Sequence, residues 1–150
     1  MPSIAPTLKY LEHFKVIGFN TRTQNCDEFN EKTAKLPSLW QQFYTSELAY
    51  NTAIYGVYSD YKSDANGLYT VTAGVGFENQ RAEFGVVNIQ AGQYLVFQGF
   101  GPMPLTVIET WKNIWDYFSR ENKYQRTFIT DFEAFKSLNE VAIYIGIKNA

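Results

Sequence analysis

The chain has 150 residues, of which 45% are hydrophobic and 17% aromatic, and its net charge at pH 7 is −2. This length is sufficient for one globular domain with its own core, and we expect a single domain over residues 1–150. The mixed, nearly balanced charge argues against direct binding of nucleic acid or of an anionic membrane, because both need a concentrated basic surface.

The first half of the chain predicts the order β-α-β-β. A strand runs from about Tyr10 to Arg22, and the main helix begins at Leu36, with Pro37 in its first turn. Two strands follow, over residues 53–58 and 68–77, and the Asn66-Gly67 pair predicts a tight turn between them. The helix has its apolar residues at i, i+3, i+4 and i+7, which is one stripe: Leu36, Leu39, Trp40 and Phe43.

The second half predicts the same order. Strand residues 86–89 and 92–98 precede a helix from about Leu105 to Arg120, and strands over 127–135 and 140–148 follow it. The helix is predicted to pack through Ile108, Trp111, Trp115 and Phe118. In the last strand one face is aliphatic and should meet the helices, whereas Tyr144 points the other way, toward the space that the two halves enclose.

The two halves form an internal repeat. Asp60 follows Trp40 by 20 positions, and Asp131 follows Trp111 by the same 20. We therefore predict an α+β fold built from two β-α-β-β modules, residues 9–79 and 84–148, related by a pseudo-twofold axis. Antiparallel sheets would carry the helices on one face, with a ligand cleft at the centre.

The aromatic content leaves two interpretations open. Tyr and Trp carry a polar group that must be hydrogen-bonded or face a wet cavity, so the 11 Tyr indicate an aromatic cleft. Alternatively, the Tyr residues alternate outward on strands, where aromatic residues are common. Trp40, Trp111 and Trp115 lie on amphipathic helix faces, and each is either core or a cleft wall.

Enzyme, metal and cofactor chemistry has little support in the sequence. His13 and Cys26 are the only residues of their kinds and suggest no metal site, no nucleophile triad and no cofactor. Cys26 cannot form an internal disulfide, no apolar run approaches the roughly 20 residues that cross a bilayer, and the first ten residues do not resemble a signal peptide. We expect a cytoplasmic protein without a membrane partner.

Six segments carry a family resemblance: LPSLWQQF at 36–43, YGVY at 55–58, AGQY at 91–94, WKNIW at 111–115, DFEAF at 131–135 and IYI at 143–145. In this order, from about residue 9 to residue 148, the chain resembles the gyrase-inhibitory-protein-like effector-binding domain, and most of all the stand-alone integron-associated effector-binding proteins. The resemblance implies a cleft between two modules that binds lipophilic cations. It also implies a partnership with a transcriptional regulator or a DNA-binding chain.

The resemblance also implies a central carboxylate. Glu133 stands where the family pattern of aromatic, Glu, any residue, aromatic has its cleft acid. A carboxylate among aromatic rings binds a cation far better than one in open water. Alternatively, Glu133 lies on an edge strand in water, or pairs with Lys136, Lys148 or Arg126. The predicted ligand-binding residues are Glu133, Tyr58, Tyr94, Tyr144, Trp111, Trp115, Trp40 and Tyr44.

The choice among these residues follows the repeat and the strand pattern. The repeat relates Trp40 to Trp111, which lie 71 positions apart. The same offset of 71 relates Tyr44 to Trp115. Lys62 is the counterpart of Glu133 and is expected in solvent, because a second buried charge is costly. Tyr55 faces opposite to Tyr58 and is the weaker candidate.

Three functional hypotheses remain. The first is a binding module for lipophilic cations, in which Glu133 supplies the charge. The second is a hydrolase of small strained molecules, because part of the resembled family uses a Glu and a Tyr in the same cleft for hydrolysis. The third is a protein-interaction module that contacts gyrase or a regulator through its surface, with a closed cleft.

Overall fold

The computed structural model describes residues 5–50, 53–64, 66–76, 84–120 and 123–148. Three helices occur among them: α1 (Asn25–Glu28), α2 (Leu36–Tyr44) and α3 (Leu105–Arg120), with a short 3-10 turn at Glu47–Tyr50. In this part of the chain no helix has the length and apolar character needed to cross a membrane. The strands are β1 (Thr7–Leu11), β2 (Phe14–Thr23), β3 (Ile54–Ser59), β4 (Tyr69–Gly76), β5 (Gly85–Ile89), β6 (Gly92–Phe100), β7 (Arg126–Ser137) and β8 (Glu140–Ile147).

These eight strands form one antiparallel sheet in the order β1-β6-β8-β7-β3-β4-β2-β5. The neighbours β3 and β7 lie at its centre. Going outward, β4 and β2 follow β3 in the first half, and the corresponding β8 and β6 follow β7 in the second. The outermost strands are exchanged: β1 pairs with β6 of the second half, and β5 pairs with β2 of the first. The predicted α+β fold with two modules is confirmed. The two exchanged strands add hydrogen-bonded connections between the modules.

The helices lie on one face of the sheet. Leu39 and Phe43 of α2 pack with residues of β2 and β4, and Ile114 of α3 packs with residues of β6 and β8. The aliphatic face of β8 contributes Ile143 and Ile145 to the second of these cores. The prediction that this face meets the helices is therefore confirmed.

The other face of the sheet is concave and has a core of its own. Phe14 of β2 contacts Phe132 of β7 with ring centroids 5.6 Å apart, although β2 is three positions from β7 in the sheet. In a flat sheet three strand spacings would separate them by roughly 14 Å. The sheet is therefore strongly curved, and this second core also contains Val57, Tyr94 and Tyr144.

Two local predictions differ from the structure, and a third falls outside the described residues. The strand β1 was not predicted, because four of its five residues are exposed and show no alternation. Asn66-Gly67 does not join two strands directly: the amide of Gly67 bonds to Asp64 O within the longer connection between β3 and β4. Phe77, predicted at the end of the strand now assigned as β4, lies outside the described residues.

The packed face of α3 was predicted correctly only in part: Trp111 and Phe118 pack against the core of the second half, but Ile108 does not. Ile108 is 47% exposed, whereas Thr106, Thr110 and Ile114 are buried. The cause is Gly99 on β6, where an added Cβ would lie only 2.2 Å from Thr110 Oγ1. Because glycine occupies this position, the helix approaches the sheet through its small threonine side chains rather than through Ile108.

A buried ion pair holds an irregular part of β7. Asp131 is fully buried and accepts hydrogen bonds from Arg126 Nη2 at 2.7 Å, Tyr61 OH at 2.5 Å and Gly146 N at 2.8 Å. The pairing of β7 with β8 is interrupted between Arg126 and Asp131, and this carboxylate bridges the interruption. Its repeat counterpart, Asp60, is exposed, so the two acids have different roles.

We expect Asp131→Ala to lower the free energy of unfolding by about 3–5 kcal/mol, because it leaves the Arg126 side chain, 7% exposed, without its counter-charge. Urea denaturation measures this loss. The matched control is Asp116→Ala, which breaks an exposed pair with Arg120 on α3 and should cost at most about 0.5 kcal/mol. Equal losses in the two variants would contradict the role assigned to Asp131.

Candidate functional site

Glu133 lies at the centre of the sheet, on the face that carries the helices. It sits on β7 directly opposite Gly56 of β3, and its side chain is 4% exposed. Trp111 of α3 donates a hydrogen bond to it, and Trp40 of α2 lies beside Gly56. The carboxyl group therefore lies between the two helices, where the two modules meet.

Two neutral donors hold the Glu133 carboxyl group. Trp111 Nε1 donates to Oε2 at 2.7 Å, and Tyr58 OH donates to the same oxygen at 3.1 Å. Tyr58 follows Gly56 by two positions on β3 and thus points to the same face of the sheet. Because the indole and the phenol are both uncharged, these two hydrogen bonds do not neutralise the charge of the carboxylate.

Gly56 provides the space for this arrangement. A Cβ at this position would lie 2.5 Å from Glu133 Oε1 and 2.9 Å from Trp40 Cζ2. Both distances are shorter than a carbon atom tolerates, so any larger residue would push the carboxyl and the indole apart. The glycine lets an acid and an aromatic ring share the surface of the central strands.

Aromatic pairs flank the site on both helices in matching positions. Trp40 and Tyr44 of α2 have ring centroids 5.9 Å apart at an interplanar angle of 32°, and Trp111 and Trp115 of α3 are 6.2 Å apart at 35°. The repeat thus reproduces ring geometry as well as sequence spacing. Tyr44 is 57% exposed, so it contacts Trp40 at the rim.

Further rings enclose the acid. Tyr58 contacts Trp111 with centroids 5.1 Å apart and Tyr69 with centroids 5.4 Å apart. On the outer side Trp115 contacts Phe29, which is 73% exposed and directly follows α1. These contacts explain why so little of Glu133 reaches solvent.

Burial changes the acidity of this cluster. The pKa of Glu133 is raised from 4.5 to about 7 because the buried carboxylate loses its hydration, and the hydrogen bonds from Trp111 and Tyr58 partly oppose this. The pKa of Tyr58 lies well above its usual range, first through burial and then through the nearby Glu133. Near neutral pH the carboxyl is therefore divided between its two protonation states.

The structure separates two predicted site residues from the rest. Tyr94 and Tyr144 lie on the concave face, where Tyr144 stacks on Phe132 with centroids 4.4 Å apart at 8°. Tyr94 donates its hydroxyl hydrogen to Gln90 O at 2.5 Å. The prediction that Tyr94 and Tyr144 lie beside Glu133 was therefore wrong. Glu133 lies on the helix-bearing face with the aliphatic residues of β8, whereas Tyr144 points to the other face.

The three basic residues that were considered as partners of Glu133 do not pair with it. Arg126 pairs with Asp131, and Lys136 and Lys148 are exposed, so the interpretation of Glu133 as a solvated or salt-bridged residue was wrong. Lys62 is exposed, as expected. Tyr55 faces away from Tyr58 and belongs to the concave core, also as expected.

Three residues near the site were not predicted: Gly56, Tyr69 and Phe29. Gly56 had a signal, since it precedes Tyr58 by two positions and must share its face. Tyr69 and Phe29 gave none, because they reach the site through contacts between distant parts of the chain. Glu28, beside Phe29, accepts hydrogen bonds from the amides of Lys35 and Leu36 and so fastens this segment to the start of α2.

A ring-lined acid between two pseudosymmetric helices on an antiparallel sheet combines the aromatic and charged groups that small-molecule sites use. Residues 7–147 match the family model described as integron-associated effector-binding protein, and the chain belongs to this family.

Individual relatives agree with this assignment. The integron cassette protein VCH_CASS2, from the mobile metagenome of Vibrio cholerae, is 34% identical with a TM-score of 0.89, each chain being covered to 96%. The YobU protein of Bacillus subtilis (strain 168), whose name marks it as a candidate transcriptional regulator, is 29% identical over 158 residues, covering 94% of this chain and 96% of YobU. SAV2435, solved with bound tetraphenylphosphonium, shares the fold with a TM-score of 0.77 at 16% identity, covering 97% of this chain and 95% of its own.

The raised pKa of Glu133 gives a stability prediction. We expect Glu133→Gln to stabilise the unliganded protein at pH 8 by up to about 3 kcal/mol, because the folded-state pKa of about 7 exceeds the ordinary 4.5. The protonated carboxyl of Glu133 makes its full contribution to the free energy of unfolding below pH 4.5. This contribution is lost as the pH rises through 7. Urea denaturation at pH 5.5 and pH 8 should show the gain shrinking at the lower pH.

The control for this measurement is Glu109→Gln, which replaces an exposed carboxyl on α3. It should change the unfolding free energy little at either pH. A Glu133→Gln variant that is less stable than the parent at pH 8 would contradict the unfavourable burial of the charge.

Proposed function

We propose that this protein is a small-molecule effector-binding protein that accepts lipophilic aromatic cations between α2 and α3, with Glu133 as the counter-charge. The supporting observation is the position of the acid: it is buried, faces aromatic rings and, within the described part of the chain, is hydrogen-bonded through two neutral donors, Trp111 and Tyr58. The family assignment supports effector binding, and the tetraphenylphosphonium bound to SAV2435 is a cation of this class.

The electrostatics favour a cation over a neutral ligand. A carboxylate in this dry site lacks hydration and a positive partner, so an entering cation supplies the missing charge where Coulomb attraction is strong. Trp40, Trp111 and Tyr58 border the acid, and aromatic faces add about 0.5–2 kcal/mol of cation–π attraction each.

Access requires movement of side chains. Since Glu133 is only 4% exposed, a bulky cation reaches it only after rings have been displaced. The contact between Trp115 and Phe29 is the natural point of entry, because Phe29 is 73% exposed and loses little burial by turning outward.

A regulatory role follows from ligand binding and needs another chain. The net charge of −2 gives no basic surface for DNA, so transcriptional control would pass through a DNA-binding partner. Ligand-driven displacement of Phe29 would alter the surface next to α1, where such a partner could sense the bound state. The resemblance to YobU is in keeping with this role.

The test is calorimetric titration with tetraphenylphosphonium, whose charge does not change with pH. We expect the affinity to rise with pH and to level off above about pH 7, because below the pKa of Glu133, about 7, binding must first remove a proton. The affinity should fall by about tenfold per pH unit on the acid side. Proton release on binding, measured in two buffers of different ionisation enthalpy, checks the same point.

Glu133→Gln should weaken tetraphenylphosphonium binding by about tenfold or more at pH 8, equivalent to about 1.4 kcal/mol. It should also abolish the pH dependence, while Glu109→Gln leaves both unchanged. Unaltered affinity in the Glu133→Gln variant would refute the proposal, as would binding that is independent of pH in the parent protein.

A second candidate function is hydrolysis. Tyr58 OH lies 3.1 Å from Glu133 Oε2, and a carboxyl with a pKa of about 7 is suited to act as a general base at neutral pH. Incubation with an aryl epoxide, followed by mass spectrometry, separates the two functions. A binder returns the compound intact, whereas hydrolysis that is lost in Glu133→Gln would establish the enzyme.

A further inference from the structure

A cavity of about 310 Å³ lies on the concave face of the sheet, away from Glu133. Its walls include Phe14, Tyr55, Phe132, Ala134, Lys136 and Tyr144. The side chains of these six residues do not border the Glu133 carboxyl group, whereas Phe135, which also lines the cavity, contacts Trp40 with ring centroids 5.4 Å apart. The cavity and the cation site are therefore distinct spaces that approach each other at Phe135 of β7.

The walls of this cavity are shaped for a flat ring. Phe132 and Tyr144 stack in parallel with centroids 4.4 Å apart, and Phe14 meets Phe132 edge-on at 5.6 Å. Tyr55 contacts Phe14 at 5.5 Å and adds a further ring. Because Phe132 and Tyr144 cover each other and are 2% and 8% exposed, the half-buried rings of Phe14 and Tyr55 are the aromatic surface that a ligand would meet here.

Small residues make the room between these rings. Ala134 stands opposite Tyr55 on β3 and opposite Ala142 on β8, so two alanines adjoin on the central strands. A larger side chain at position 134 would project into the cavity. The volume of about 310 Å³ lies at the lower end of ordinary ligand sites and suits a molecule of one or two rings.

The polar groups of the cavity select the charge of the ligand. Lys136 is exposed and follows Phe132 and Ala134 along the same face of β7, so it stands at the mouth of the cavity. Among the described residues that line the cavity, Lys136 is the one charged group, and none is an acid. The pKa of Tyr55 is raised by burial and then by the neighbouring Tyr144, so its hydroxyl remains a donor at neutral pH.

We infer that this cavity is a second ligand site, which takes small aromatic anions such as aryl carboxylates, with the ring against Phe14 and Tyr55 and the carboxylate toward Lys136. The two sites then have opposite charge preferences on opposite faces of β7. Glu133 attracts cations on the helix-bearing face, and Lys136 attracts anions on the concave one. This inference does not depend on the cation site being correct.

Three probes with the same ring system test it: 2-naphthoate, 2-naphthamide and 2-naphthylmethylammonium, titrated at pH 7.5 with amide chemical shifts as the readout. We expect 2-naphthoate to bind best and to shift the signals of Ala134 and Tyr55. Lys136→Gln should weaken 2-naphthoate by about fivefold or more and leave 2-naphthamide unchanged. Ala134→Leu should weaken both by about twentyfold, because leucine fills the cavity.

The urea midpoint and the far-ultraviolet circular dichroism spectrum serve as controls for folding in both variants. Because Lys136 is exposed, Lys136→Gln tests the site even if Ala134→Leu does not fold. Failure of 2-naphthoate to bind at millimolar concentration, equal binding of the three probes, or an unchanged affinity in Lys136→Gln would overturn the inference. Glu133→Gln should leave 2-naphthoate binding intact, so failure of the cation site and failure of this one give different results.

Discussion

The burial of one carboxyl group on the central strands organises the functional part of this protein. Glu133 loses its hydration there, and among the described residues it receives hydrogen bonds from two neutral donors, Trp111 and Tyr58. This arrangement is unfavourable for the charged form, as the pKa of about 7 shows. In the proposed function, a bound cation would provide the charge interaction that this carboxylate lacks in the unliganded protein.

The pseudosymmetry of the chain places matching aromatic pairs around the candidate site, and the acid in that site departs from the symmetry. Trp40 with Tyr44 and Trp111 with Trp115 repeat the same ring geometry on two helices. The acid itself has no counterpart, because the equivalent residue is the exposed Lys62. One half therefore carries the charge, and the other contributes Gly56, which leaves the space for it.

Curvature gives the same sheet a second functional face. The concave side brings Phe14 of β2 onto Phe132 of β7 and encloses a core that includes Tyr144 and Tyr94. Neighbouring residues of β7 thus serve different environments: Phe132 and Ala134 face the concave side, whereas Glu133 faces the helices.

Local pattern by itself determined the repeat and the order of its main helices and strands except β1, since helix and strand periodicity are properties of neighbouring residues. The family resemblance in the sequence then singled out the acid at position 133. It did not determine which Tyr residues accompany that acid. Tyr144 and Glu133 belong to adjacent strands, and only the register of β7 with β8 decides that they point to opposite faces. The lean of α3 onto Gly99, the contact of Phe29 with Trp115 and the exchange of β1 likewise arise from tertiary packing, because each joins segments far apart in the chain.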